Sequence, residues 1–218
     1  MAQIILFDLD GTLTDPKEGI TRSVAYALSE LGIEVEDLDQ LTPFIGPPLM
    51  EGFSELYGLD EESCLKAIKA YRKRYGEKGW SENKVYPGME DMLETLCASG
   101  KRLGVATSKP EAYAVKILES FGLDKYFEHI TGPSLTDNKS TKAMVVKEAM
   151  ECFGVPENDH GNVLMVGDRR HDIAGAHANN VKGVGVLYGY GSLEELQKAG
   201  ADIIARDVAD LKAKLILS

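Results

Sequence analysis

The chain has 218 residues, of which 44% are apolar and 27% are charged, and its formal net charge is −11. These values fit one main domain of about 150 residues with a smaller insertion, and the negative charge disfavours nucleic acids and anionic membranes as partners. No apolar run reaches the ~20 residues of a membrane-spanning helix, and three widely spaced cysteines disfavour a disulfide framework.

The first residues form a poor secretory signal. Their apolar stretch runs only from Ile4 to Phe7, and Asp8 follows at once. We therefore expect a cytoplasmic location, with no membrane and no nucleic acid polymer as partner, and a monomer as the oligomeric state.

Short apolar runs alternate with segments of helical period along most of the chain. The predicted strands are 3–7, 103–107, 127–131, 163–166, 183–187 and 203–205, and the predicted helices between and after them are 89–99, 111–121, 141–153, 173–179, 193–199 and 208–215. This alternation is typical of a parallel sheet covered by helices on both faces. The predicted fold class is therefore α/β, a doubly wound parallel sheet.

One stretch after the first strand lacks strand patterns. Between about residues 15 and 87 the apolar residues recur at helical spacing, and Tyr86-Pro87-Gly88 indicates a turn at its end. We predict an all-helical cap over 15–87, inserted into a core formed by 1–14 and 88–218, with hinges near 14–17 and 83–88.

Polar residues follow several of the predicted strands. They are Asp8-Leu9-Asp10-Gly11-Thr12 after the first, Thr107-Ser108-Lys109 after the second, Lys142 at the start of the helix after the third, and Gly167-Asp168 with Asp172 after the fourth. Ligands of open parallel sheets bind beyond the carboxyl ends of the strands. We therefore expect these side chains to form one site.

The four aspartates of this group would crowd together. A single aspartate after a strand is common in turns. Four carboxylates at one sheet edge, however, raise one another's pKa unless a positive charge lies among them. A hard divalent cation with oxygen ligands is the simplest solution, and Mg²⁺ suits a few carboxylates combined with a phosphate.

The four separated motifs and the inserted helices resemble the haloacid dehalogenase superfamily of phosphohydrolases, over nearly the whole chain. The resemblance implies that Asp8 is the nucleophile that forms an aspartyl-phosphate, and that Asp10 is the general acid and base. It also implies that Asp8, Asp10 through its backbone carbonyl, and Asp168 bind Mg²⁺. Asp172 would bind the cation directly or support its ligands.

Further residues gain roles from the same resemblance. Thr107 would donate a hydrogen bond to the phosphoryl oxygens, and Lys142 would neutralise charge there and hold Asp8. Backbone N–H groups around Gly11 would contact the same oxygens, since glycine permits close approach. Ser108 and Lys109 are further candidates for substrate binding, although a plain surface lysine is nearly as good an interpretation of Lys109.

The loop 44–49, with the sequence FIGPPL, has two interpretations on its residues alone. It either reaches from the cap toward the substrate, which would bring Gly46 to it, or forms a rigid lead into a helix. FIGPPL, together with TDPKEGI before it, looks like the 5′-nucleotidase branch, which favours the first interpretation. The predicted substrate is therefore a nucleoside monophosphate, and phosphoglycolate is the alternative.

Two other classes of protein stay open. A signalling receiver also uses an aspartyl-phosphate in a doubly wound sheet, but needs neither Asp10 nor a cap. A degenerate binding module would be expected to lack Asp8, Thr107, Lys142 or Asp168, and all four are present. Dehalogenases that attack carbon lack the acid found here as Asp10, which favours a phosphatase.

Overall fold

The computed structural model of the protein describes residues 3–137 and 140–217. The chain forms two compact units, one of Asp15–Lys84 and the other of Met1–Thr14 with Val85–Ser218. Within the described ranges, every helix is too short or too polar to cross a bilayer.

The strands of the described residues are β1 (Ile4–Phe7), β2 (Thr14–Asp15), β3 (Lys84–Val85), β4 (Arg102–Ala106), β5 (His129–Thr131), β6 (Val163–Gly167), β7 (Lys182–Val186) and β8 (Ile203–Ala205). Six of them form a parallel sheet in the order β5-β4-β1-β6-β7-β8. All four residues of β1 are buried, as expected of a central parallel strand. The predicted parallel sheet is confirmed.

The helices are α1 (Lys17–Ser29), α2 (Leu49–Tyr57), α3 (Glu61–Glu77), α4 (Met89–Ala98), α5 (Glu111–Ser120), α6 (Lys142–Cys152), α7 (Arg170–Ala178), α8 (Leu193–Lys198) and α9 (Val208–Leu217). Helices α4 to α9 alternate with the strands of the sheet, and α1 to α3 belong to the unit Asp15–Lys84. The predicted α/β class with an inserted helical cap is confirmed.

Both faces of the sheet are buried. Ile4 and Leu6 belong to an apolar cluster that includes Val146 and Phe153 from the α6 region. Side chains alternate along a strand, so Ile5 and Phe7 face the other side, where Phe7 packs edge-on against Phe127 at 6.3 Å between ring centroids. Burial on two sides explains why β1 is apolar throughout.

The unit Asp15–Lys84 has a small core of its own. Tyr71 and Tyr75 on α3 are buried and their rings stack at 5.4 Å between centroids, and Phe44 packs edge-on against Phe53 at 4.9 Å. The two tyrosines are therefore part of this core.

Two details differ from the sequence-based expectations. No strand was expected from about residue 15 to residue 87, whereas β2 and β3 pair in a separate two-stranded sheet. Helix α7 begins at Arg170 rather than at residue 173, because the Asp172 carboxylate accepts the Arg169 N–H at 3.0 Å and so fixes the first turn.

Leu6→Ala should cost about 3 kcal/mol of unfolding free energy, because it leaves a cavity in the fully buried centre of the sheet. Denaturant unfolding measures the loss. Leu193→Ala is the matched control, since its side chain is 47% exposed, and should cost less than about 0.5 kcal/mol. Equal losses in the two variants would contradict the assignment of Leu6 to the core.

Candidate active site

The polar residues predicted for the site follow three adjacent strands of the sheet. Phe7 at the end of β1 pairs with Val105 of β4 and with Val166 of β6. The residues that follow, Asp8, Thr107 and Asp168, are therefore neighbours at the carboxyl edge of the sheet. The Asp8 N–H donates to the Val166 carbonyl at 2.8 Å and continues the ladder to the edge.

The loop after β1 turns tightly around one carbonyl. The Leu9 oxygen accepts the N–H groups of Thr12, Leu13 and Thr14 at 3.2, 2.9 and 3.0 Å. Gly11 has φ of +83°, and a Cβ there would overlap the carboxylate of Asp168. Glycine at this position thus permits both the turn and the close approach of the two loops.

Three buried carboxylates form the centre of the site. One oxygen from each of Asp8, Asp168 and Asp172 lies within 4.8 Å of the others. Asp168 accepts the Tyr190 N–H through Oδ2 at 2.7 Å, whereas its Oδ1 has no hydrogen-bond partner among the described residues. A buried, unpaired carboxylate oxygen beside two further carboxylates is suited to a cation.

Lys142 is the fixed positive charge among these carboxylates. Its Nζ lies 2.9 Å from Asp8 Oδ1 and 2.8 Å from Asp172 Oδ1, and donates to the Ala106 carbonyl at 3.1 Å. Burial by itself would lower the pKa of Lys142, but the two carboxylates raise it above its ordinary value. Lys142 is therefore held as an ammonium ion.

Lys142 reaches the carboxylates because α6 and α7 approach closely. Thr141 caps α6 by accepting the Met144 N–H at 3.3 Å, which fixes Lys142 in the first turn. A Cβ at Gly175 of α7 would lie 2.7 Å from Lys142 Cγ. Glycine at 175 thus leaves room for the aliphatic part of the lysine.

One ammonium does not neutralise three carboxylates. Burial raises the pKa of Asp172 to about 6, with Lys142 opposing and Asp8 adding to the shift. Burial, followed by repulsion from Asp172, holds the pKa of Asp168 well above its ordinary value. The arrangement therefore favours a bound divalent cation, and the oxygens of Asp8, Asp168 and Asp172 are the ones that could hold it.

Asp10 is in a different environment. Its side chain lies outside the group of three carboxylates and forms a buried ion pair with Lys109. Burial raises the pKa of Asp10, and the Lys109 ammonium opposes the shift. The predicted role of Asp10 at the metal involved its backbone carbonyl alone, and its predicted role in proton transfer stays a prediction.

The remaining residues predicted for the site differ in burial and in the unit to which they belong. Thr107 is buried, and its Oγ1 accepts the Lys109 N–H at 3.2 Å. Lys109 is a buried partner of Asp10 rather than a surface lysine, and Ser108 is exposed. Gly46 lies in the unit Asp15–Lys84 with φ of +101°. Its contact with substrate stays a prediction.

Sequence reasoning did not assign Tyr188 or Tyr190 to the site. Tyr190 donates its N–H to Asp168, and the Tyr188 hydroxyl donates to the Thr12 carbonyl at 3.0 Å. The available signal was the pair of glycines in Tyr188-Gly189-Tyr190-Gly191, which indicates close backbone approach.

Comparison with known proteins gives the family of the chain. Residues 5–186 match the family model described as haloacid dehalogenase-like hydrolase. The chain belongs to this family. The predicted recognition of the superfamily is thereby confirmed.

Three curated relatives cover most of this hydrolase. A 5′-nucleotidase of Pseudomonas aeruginosa is 43% identical over 97% of the chain and 94% of the relative. Tyrosine-protein kinase PtkA of Mycobacterium tuberculosis is 39% identical over 93% of the chain and 68% of the relative. A phosphoglycolate phosphatase of Vibrio parahaemolyticus is 27% identical over 96% of the chain and 94% of the relative.

Among solved structures, a predicted phosphatase from Clostridium acetobutylicum superposes on this hydrolase with a TM-score of 0.94 and 47% identity, and each chain is covered completely. The family model thus covers residues 5–186, and the similarity to this solved structure extends over the full length of the chain.

The carboxylates of this hydrolase should make its metal-free form less stable as the pH rises. Asp172 has a pKa of about 6 in the folded protein, above its ordinary value of 3.8. The folded state therefore binds an extra proton at Asp172, and the stability that this proton contributes is fully present below pH 4 and is lost as the pH rises through about 6. A tenfold change in an acid constant is worth about 1.4 kcal/mol, so the loss is on the order of 3 kcal/mol.

Asp172→Asn isolates this contribution. With EDTA present, the unfolding free energy of wild type minus that of Asp172→Asn should fall between pH 4 and pH 7. A difference that stays constant over this range would contradict the crowding of the three carboxylates.

Proposed function

We propose that the protein is a Mg²⁺-dependent phosphatase that hydrolyses a small phosphate monoester through a phosphorylated Asp8. The most direct support is the environment of Asp8. Its carboxylate lies beside Lys142 and beside the carboxylate oxygens of Asp168 and Asp172. With the proposed cation bound beside Lys142, a nucleophile in this position would meet the phosphoryl group next to two positive charges.

The proposed Mg²⁺ would be held by oxygens of Asp8, Asp168 and Asp172, together with the backbone carbonyl of Asp10. These ligands fit a hard cation, since they are all oxygens and Asp168 Oδ1 is buried without a hydrogen-bond partner among the described residues. When bound, Mg²⁺ would offset the negative charge of the phosphoryl oxygens and of the carboxylates.

In the first step, an Asp8 oxygen attacks phosphorus and the bond from phosphorus to the ester oxygen breaks. The leaving alkoxide takes a proton from the Asp10 carboxyl group. Thr107 Oγ1 and the N–H groups around Gly11 donate hydrogen bonds to the phosphoryl oxygens. Lys142 keeps the Asp8 carboxylate in place at 2.9 Å.

In the second step, the Asp10 carboxylate takes a proton from water as the water oxygen attacks phosphorus. The bond between Asp8 and phosphorus breaks, and inorganic phosphate leaves. Asp8 is restored as a carboxylate, and Asp10 as the acid for the next cycle. Lys109, whose Nζ contacts the Asp10 carboxyl group, holds that group close to the site in both steps, and it forms an ion pair with the Asp10 carboxylate once the proton has been transferred.

For the substrate, we propose a nucleoside 5′-monophosphate. Supporting this are the FIGPPL segment and the 43% identity to a protein named 5′-nucleotidase. Phosphoglycolate is the alternative, because a relative with 27% identity carries the name phosphoglycolate phosphatase. We assign the choice of substrate to the unit Asp15–Lys84, as a cap, and include Gly46 in it.

The receiver alternative is disfavoured, because the relatives that cover the chain are named as enzymes. The relative named as a tyrosine kinase raises a different question. Phosphoryl transfer from Asp8 to a tyrosine hydroxyl instead of water would make a kinase, and the test below includes it.

A cytoplasmic location is also part of the proposal. Cys64, Cys97 and Cys152 are all free, as is usual in a reducing compartment. The monomeric state stays a prediction.

The proposed function is tested by phosphate release with Mg²⁺ from nucleoside 5′-monophosphates, phosphoglycolate, sugar phosphates and p-nitrophenyl phosphate. Metal-dependent release that Asp8→Asn abolishes is expected, and the best substrate decides between the two candidates. ATP with a tyrosine peptide completes the panel. Formation of phosphotyrosine without hydrolysis of any ester would contradict the proposal, as would a folded protein inactive on every ester.

Asp10→Asn should lower kcat by about 10²–10⁴-fold for a nucleoside monophosphate, because the amide cannot protonate the leaving alkoxide. The first step with p-nitrophenyl phosphate should suffer less, since p-nitrophenolate leaves without a proton. Burst kinetics measures this first step separately from the second. Asp124→Asn, in the turn Asp124–Tyr126 outside the site, is the control with the same loss of charge. An equal slowing of the first step for both esters would argue against Asp10 as the acid.

A further inference from the structure

The segment 188–195 follows β7, includes the first turn of α8 and contacts both loops of the acidic site. The Tyr188 hydroxyl donates to the Thr12 carbonyl at 3.0 Å, in the loop after β1. The Tyr190 N–H donates to Asp168 Oδ2 at 2.7 Å, in the loop after β6. One segment thus links the two loops that supply the carboxylates.

The backbone of this segment packs directly against the two loops at Gly189 and Gly191. A Cβ on Gly189 would overlap the Gly11 carbonyl and the Asp168 side chain, and a Cβ on Gly191 would overlap the Asp168 carbonyl. No side chain separates the segment from Asp168, so a displacement of one would displace the other.

Glu195 adds a charged contact at the end of the segment. The Ser192 hydroxyl accepts the Glu195 N–H at 3.0 Å and caps α8, which fixes the position of Glu195 in the first turn. Glu195 Oε1 then accepts the Arg170 N–H at 2.9 Å and the Arg169 Nε–H at 3.0 Å. Burial alone would raise the pKa of Glu195, but these bonds hold it below its ordinary value, so Glu195 is ionised at neutral pH.

The two residues held by Glu195 lie between Asp168 and Asp172 in the chain. Arg169 also donates its backbone N–H to Asp172 Oδ2 at 3.0 Å. Asp172 thus fixes the N–H of Arg169, and Glu195 fixes both the Arg169 side chain and the next N–H. Without Glu195, the Arg170 N–H and the guanidinium would lose a charge-assisted partner supplied by another element.

We propose that Glu195 is a positioning residue that holds the loop 168–172 in the geometry required for binding a divalent cation. The inference rests on the proposed function, because that function places the cation at Asp168 and Asp172. Glu195 itself touches neither cation nor substrate in this account. It acts through Arg169 and Arg170, as residues around a metal site commonly act on the ligands themselves.

The test is the affinity of the purified protein for Mg²⁺, measured by titration calorimetry without substrate. Glu195→Ala should weaken Mg²⁺ binding by about 10–100-fold. Glu195→Gln should show a smaller loss, because its amide oxygen still accepts the Arg170 N–H while the ion pair with Arg169 is gone. Unfolding of the metal-free proteins is measured in parallel.

Glu194→Ala is the matched control. Glu194 is the preceding residue of the same helix, and its side chain is 76% exposed and pairs with Lys198. Its removal takes away the same charge and should leave the affinity for Mg²⁺ within about twofold of wild type, since exposed ion pairs contribute little.

A purely structural role of Glu195 would lower the stability of the metal-free protein without changing the affinity for Mg²⁺, and this result overturns the inference alone. Wild-type protein that binds no Mg²⁺ overturns the proposed function and the inference with it. If Glu195→Ala does not fold, Glu195→Gln decides: weaker binding than wild type supports the inference, and equal binding overturns it.

Discussion

The site depends on the ammonium group of Lys142, which lies between the buried carboxylates of Asp8 and Asp172. Without it, α6 and α7 would meet across uncompensated negative charge, at a cost of several kcal/mol. The single positive charge of Lys142 does not balance the whole site, because the carboxylate of Asp168 is buried there as well. The remaining negative charge favours a cation at the site, and under the proposed function the bound cation would in turn attract a phosphoryl group.

The parallel sheet explains how residues far apart in the chain reach this ammonium. Strand β1 lies between β4 and β6, so the residues after these three strands meet at one edge. Glycines then let the loops approach. Gly11 admits the Asp168 carboxylate, and Gly175 admits the side chain of Lys142. The order of the strands and the glycines in the loops therefore bring the charged side chains of the site together.

Much of this arrangement could be predicted from sequence. Strands as short and apolar as β1 have a clear pattern, and each is followed by its polar residues, so Asp8, Thr107 and Asp168 could be placed at one edge. The contacts of Tyr190 and Glu195 could not, because they require β7 to lie beside β6, and the order of strands is not encoded in local patterns. The ion pair of Lys109 with Asp10 could not be predicted from the sequence either, since it depends on the path of two loops.

The central claim is that Asp8 becomes phosphorylated during turnover, and trapping that species tests it most directly. The Asp10→Asn variant, in which hydrolysis of the acyl phosphate should be slowed, is mixed with Mg²⁺ and p-nitrophenyl phosphate, quenched in acid within milliseconds and digested. Mass spectrometry is expected to find one phosphoryl group on the peptide containing Asp8, removable by hydroxylamine. Release of p-nitrophenolate with no phosphorylated Asp8 at any quench time would contradict the account.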